Sequence, residues 1–204
     1  RLTADIDLTK ADGNPTEWKP IGYDIDHDYT GIFDGMGHTV KGYKITERAD
    51  EIGFFGVVYG EVRGLTVSGD INITTDKSKA QAGGVAGYNG GTIEDCVNAG
   101  PLITRTDSIT MGGIVGGCKY SRISNCVNSG DITSNIRAGG IAGNIELSTM
   151  SNCINSGNIT GNRQAGGIAA HTQSSGTISN CLNCGDIAGG GYSGGVVGNN
   201  GGGT

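Results

Sequence analysis

The sequence predicts an all-β protein: a right-handed parallel β-solenoid of about six or seven coils. Three observations predict it. A glycine pair recurs at Gly83, Gly112, Gly139, Gly166 and Gly194, in steps of 29, 27, 27 and 28 residues. The cysteine of a Cys-x-Asn phrase recurs on its own at Cys96, Cys126, Cys153 and Cys181, in steps of 30, 27 and 28. Between these markers the chain is written in Gly, Asn, Thr, Ser, Ile and Val, which suit strands and tight turns. Gly-Gly at the heart of each unit would penalise a helix. Two markers keeping one interval indicate a stacked repeat rather than a catalytic motif, which needs to occur only once. A period of 27 to 30 residues closes a three-sided coil of short parallel strands, and parallel crossovers favour the right hand.

Composition agrees. The 204 residues include 40 glycines, with 35% hydrophobic and 5% aromatic residues, too few large apolar side chains for a thick two-layer core. The glycines follow no Gly-X-Y period, and the regularly spaced Ile, Val and Leu argue against disorder. A net charge of -6 without a basic stripe makes nucleic acid an unsuitable partner. No run of eighteen apolar residues offers membrane insertion, and no signal peptide precedes Arg1. Any export signal or anchor is expected outside this chain.

Taken in order, residues 1–60 are the less regular, broad N-terminal coils and carry all the Phe and the only Trp. Residues 61–204 are the regular repeats, continuous with the first part as one domain. In "VRGLTVSGDI" (62–71), Leu65, Val67, Gly69 and Ile71 alternate and should point inward. Alignment then turns Cys96, Asn98, Gly100 and Leu102 inward, and their equivalents in every later coil. The cysteines form one interior column. Asn98, Asn128, Asn155 and Asn183 form a second that bonds along the axis. The glycines at 69, 100, 130, 157 and 185 are expected to turn corners with positive φ. "GNNGGGT" (198–204) reads as a repeat cut short, so the chain is expected to be a fragment of a longer protein.

The repeated phrase "GGIAG…ISNCVNSGDI", with "YTGIFDGMGHTVKGYKI" (29–45), "RLTADIDL" (1–8) and "WKPIG" (18–22), resembles the GLUG-motif repeat region of bacterial surface proteins. That family includes adhesin-like proteins and the N-terminal regions of immunoglobulin A-specific metallopeptidases. The match spans nearly the whole chain and implies an architecture more than an activity. It implies a cell-surface or extracellular location. Three positions depart from the phrase: Ala170 for Gly, Pro101 for Asp or Asn, and Met150 for Ile.

Candidate chemistry is sparse. Four cysteines one coil apart form a row about 5 Å between members, which cannot converge tetrahedrally on zinc. They read as buried free thiols, while Cys184 should face solvent and Cys118 lies off the row. Asp24, Asp26 and Asp28 alternate in a turn and could suit calcium, but lack the Gly and terminal Glu of an EF-hand loop. A solvated acidic loop is the plainer account, and no metal or cofactor is assigned. The column Asp70, Pro101, Asp131, Asn158 and Asp186 is interrupted, so it offers no carboxylate pair for glycoside hydrolysis. Asp34 and His38 belong to a turn phrase, with Asp34 capping the turn. His171 occupies no regular repeat position. Trp18, with Pro20, should pack on the first coil rather than stack on a sugar. No catalytic residue is assigned.

If Cys and Asn point inward, Val97, Val127, Ile154 and Leu182 point outward and stack into an apolar stripe, with Thr66 in the older coil. Such a stripe suggests a contact site, unless another segment covers it or strand propensity alone chose these residues. The functional expectation is therefore a non-catalytic adhesive or spacer stalk on the order of 30 Å long. Its partner would be a host protein, a glycan or a second copy. The alternative is a substrate-positioning region of an immunoglobulin-directed protease or a glycan-active enzyme.

Overall fold

In a computed structural model the structure describes residues 1–46, 49–74 and 80–203. The described residues contain no helix, and every strand pairing is parallel, building a β-solenoid of about six turns. A regular coil is made of short segments such as Thr110–Gly112, Val115–Lys119, Arg122–Ser124, Val127–Asn128 and Ile132–Ser134. Each segment pairs with its equivalent in the coils before and after, giving stacks of six strands for the first three. The last two join one larger sheet, because the older coil runs straight through both as the eight-residue strand Thr66–Ile73. Five short segments, rather than three long sides, therefore line a regular turn.

The corners explain that shortness. Positive φ does not fall on Gly100, Gly130, Gly157 or Gly185, contrary to the sequence expectation. It falls on the residue before each inward cysteine: Asp95 (φ 53°), Asn125 (55°), Asn152 (56°) and Asn180 (52°), with Gly64 (57°) in the older coil. Gly, Asp and Asn are the residues that enter the left-handed region at least cost, so the sequence marks this column by residue type. The corner glycines answer a different demand. A Cβ on Gly130 would strike the carbonyl oxygen of Gly100, and one on Gly157 that of Gly130. Coils stack backbone on backbone there, leaving no room for a side chain.

The core is thin and ordered in columns. Leu65, Val67 and Ile71 are buried, as are Leu102, Ile132 and Ile159 along the same face. Opposite them, Ile114, Ile141 and Ile168 of the Gly-Gly-Ile phrase fill the interior. Met150 takes the buried place of Ile93 and Ile123, a swap of similar volume that a flexible thioether tolerates. Ala170 is buried without exposure.

The asparagine column ties the coils together. Asn98 Nδ2 donates to Asn128 Oδ1 (2.8 Å), Asn128 to Asn155 (2.7 Å) and Asn155 to Asn183 (2.7 Å). Each Nδ2 also donates to the carbonyl two residues on, at Gly100, Gly130, Gly157 and Gly185. Both amide protons are thus used inside the core, which removes the desolvation cost of a buried carboxamide. The second glycine of each pair lies directly across from this column. A Cβ on Gly84, Gly113, Gly140 or Gly167 would run into the carboxamide of Asn98, Asn128, Asn155 or Asn183. The two halves of the repeated phrase are therefore one device: the glycine pair clears the space that the asparagine fills.

The N-terminal part wraps the first coil. Ile6–Asp7 and Thr16–Glu17 both pair with Thr39–Ile45, which pairs in turn with Thr66–Ile73. Phe54 and Phe55 are buried there, and Trp18 stacks on Phe54 with ring centroids 4.7 Å apart. Trp18 Nε1 donates to the Phe54 carbonyl at 3.0 Å. The tryptophan is a packing residue with its polar handle satisfied.

Candidate binding surface

The residues that could carry chemistry are mostly consumed by the fold. Asp24 accepts hydrogen bonds from the Asp26 and His27 amides and pairs with His27 Nδ1 at 2.7 Å. Those bonds, the His27 ring foremost, hold its carboxyl below the usual range. Among the described residues no three His, Cys, Asp or Glu side chains converge as a metal site. Asp34 caps its turn by accepting from the Met36 amide (3.0 Å), and its other oxygen takes Arg63 at 3.0 Å. Both lower its pKa, the backbone bond more. His38 Nδ1 lies 3.1 Å from Asp5 Oδ1, so Asp34 and His38 point to different partners. In the interrupted acidic column, Asp131 Oδ1 accepts from the Asn158 amide (2.8 Å) and Asn158 Oδ1 from the Asp186 amide (3.1 Å). These side chains staple one coil to the next, a role Asp and Asn share and Pro101 lacks.

The cysteine row is interior. Cys96, Cys126 and Cys153 are fully buried, and each Sγ donates to the carbonyl two residues earlier, at Glu94, Ser124 and Ser151. Cys181 is half-buried at the open end, and Cys184 is exposed. All six are free thiols. Hydrogen bonds to Cys153 and Cys96, with burial, hold the Cys126 thiol well above its ordinary value. Cys118 lies off the row but is also buried, which pushes its pKa up to about 11. Because a reagent must reach the sulfur, native labelling should modify the exposed Cys184 fast and the half-buried Cys181 slowly. Cys96, Cys118, Cys126 and Cys153 should react only after denaturation. Mass spectrometry of labelled peptides checks this, and rapid native modification of Cys126 would contradict the assigned interior.

What is left outside is the strand residue between Cys and Asn. Val97, Val127, Ile154 and Leu182 are in register, each opposite the next, with Thr66 before Val97. Val97 and Val127 are half-buried, while Ile154 is 40% and Leu182 54% exposed. Successive members of such a column sit about 4.8 Å apart, so four apolar side chains form one continuous strip.

A chain from Bacteroides ovatus, whose crystal structure is that of a "putative immunoglobulin A1 protease", superposes with a TM-score of 0.70 over 97% of this chain and 63% of its own, at 23% identity. The two are alike in fold. Halomucin of Haloquadratum walsbyi is 32% identical over 128 residues, 57% of this chain. The chain spans 1% of Halomucin's length. No protein-family model matches the chain, so the repeat family named from its motifs is carried by those motifs alone.

Proposed function

We propose that the chain is a non-catalytic extracellular module of a surface protein, serving as an adhesive or spacer stalk. The observation that carries this reading is the fate of its polar residues. Asn, Asp and Cys columns are spent on holding coil to coil, while the outward face keeps the strip Val97, Val127, Ile154 and Leu182. Likeness to part of Halomucin supports a surface location. Stacked coils lengthen such a stalk at about 4.8 Å each.

The double variant Val127→Thr/Ile154→Thr tests the adhesive role. Its sedimentation should show self-association weakened severalfold against wild type, with the melting temperature within about 2 °C, since neither side chain belongs to the core. A large loss of thermal stability would show that the strip is buried and end its binding role. A wild type that stays monomeric at high concentration would leave the spacer role alone standing. The fold shared with the Bacteroides ovatus protein supports a second reading, a region that positions substrate for a secreted protease or glycan-active enzyme. That reading expects the isolated chain to bind immunoglobulin A; the stalk reading expects no such binding.

A further inference from the structure

A groove runs on a different face from the strip. One wall is the column Gln81, Thr110, Arg137, Gln164 and Tyr192, the outward residues of the strands that end in the glycine pair. The other wall is Asn144 on the next segment, in one column with Tyr88, Gly117 and His171. The walls meet closely where Gly117 stands: a Cβ there would collide with the Gln81 carboxamide. Beyond that point the groove opens to a volume of about 430 Å³, bordered also by Asp107 and Arg163. An adjoining hollow of about 340 Å³ shares Arg163 and continues past Gln164 to the exposed Tyr192 ring.

Its chemistry is unbalanced in two ways. Arg137 and Arg163 come from neighbouring coils; partial burial opposes the charge on Arg137, and so, to a lesser extent, does the nearby Arg163 guanidinium. Among the described residues neither guanidinium forms an ion pair. Arg137 Nε instead donates to Gln164 Oε1 at 2.8 Å. Asp107, on the groove's edge, accepts from Asn135 Nδ2 at 3.1 Å. Two unneutralised guanidiniums side by side, in a chain of net charge -6, fit an incoming carboxylate, which a guanidinium holds bidentately. The second imbalance is neutral. Asn144 Oδ1 and His171 Nδ1, adjacent in register, are buried and have no hydrogen-bond partner, His171 being only 8% exposed. An unpartnered carbonyl oxygen needs a donor, which a carboxylate lacks and a hydroxyl supplies.

We propose that this groove binds an acidic saccharide, its carboxylate on Arg137 and Arg163 and its hydroxyls on Gln164 and Asn144. A sugar acid carries both groups on one ring, and the neutral amides lining the groove suit hydroxyls. Tyr192 offers the flat apolar face that a pyranose ring covers. The direction of the groove, along the solenoid axis, suits a linear glycan. The site lies away from the Val127–Ile154 strip and needs no second copy, so either can fail alone.

The test is calorimetric binding of hexagalacturonate, a hyaluronan hexasaccharide and sialyllactose to the whole chain. Fully methyl-esterified hexagalacturonate and a hexaglutamate peptide serve as comparisons. At least one acidic saccharide should bind, and its neutral or esterified twin about tenfold more weakly. Arg163→Gln, at an exposed position that leaves the fold intact, should weaken that binding about tenfold, and Asn144→Leu should weaken it without abolishing charge selectivity. Arg122→Gln, on another face, should change nothing. Absence of binding across all three saccharides overturns the proposal. So does binding that Arg163→Gln leaves unchanged, and equal binding of hexaglutamate would reassign the groove to acidic peptides.

Discussion

Asn128→Ala is expected to destabilise the protein by about 3–5 kcal/mol. Asn128 is fully buried and makes three hydrogen bonds: it accepts from Asn98 and donates to Asn155 and Gly130. Truncation strands Asn155 Oδ1 and takes a donor from the Gly130 carbonyl, in an interior where water cannot replace it. Each orphaned buried group costs roughly 1–3 kcal/mol. The same change at Asn183 provides the comparison. That side chain is half-buried in the last coil and keeps solvent within reach, so its loss should cost about 1 kcal/mol. Denaturant midpoints of the two variants check the difference. Hydrogen exchange should place the weakening of Asn128→Ala in coils adjacent to it, because coils in a solenoid touch only their neighbours. Equal losses at 128 and 183 would mean that the ladder's interior bonds are worth no more than solvated ones.

Gly113→Ala should cost about 2–3 kcal/mol, a large penalty for one methyl group. Its Cβ would collide with the Gly140 carbonyl oxygen of the next coil and with the Asn128 carboxamide. The first is backbone of the next coil, fixed in place through the preceding peptide: Gly113 N–H donates to Gly139 O at 3.1 Å. The coils must therefore move apart, or the asparagine must leave its ladder. Gly195→Ala, the equivalent position in the last coil, meets nothing within 4 Å and has no left-handed φ. It should be neutral, or slightly stabilising because alanine restricts the unfolded chain. Thermal melts of the pair separate a packing collision from a general dislike of alanine at this bend. A tolerated Gly113→Ala would show that the coils are not in contact at the glycine pair.

The regular columns were readable because a solenoid writes its core once per turn. Cys126, Asn128, Gly130 and Ile132 alternate in one coil, and their equivalents repeat at the same interval, so the inward set followed from period two and from alignment. The left-handed corners were readable too, as the run Gly64, Asp95, Asn125, Asn152 and Asn180. Sequence reasoning places them on the glycines five residues on, because positive φ and close backbone approach select the same residue. Only the stacked coordinates separate those two demands. Arg137, Arg163 and Asn144 were illegible for the opposite reason: none repeats, and they share a groove only because strands 27 residues apart lie side by side. Sequence by itself determined the repeat, its register and which strand residues face the core, since burial on so thin an interior allows one pattern alone. Tertiary structure decided what the outward residues meet, because neighbours across a solenoid's surface are set by the fold of each coil and leave no period in the chain.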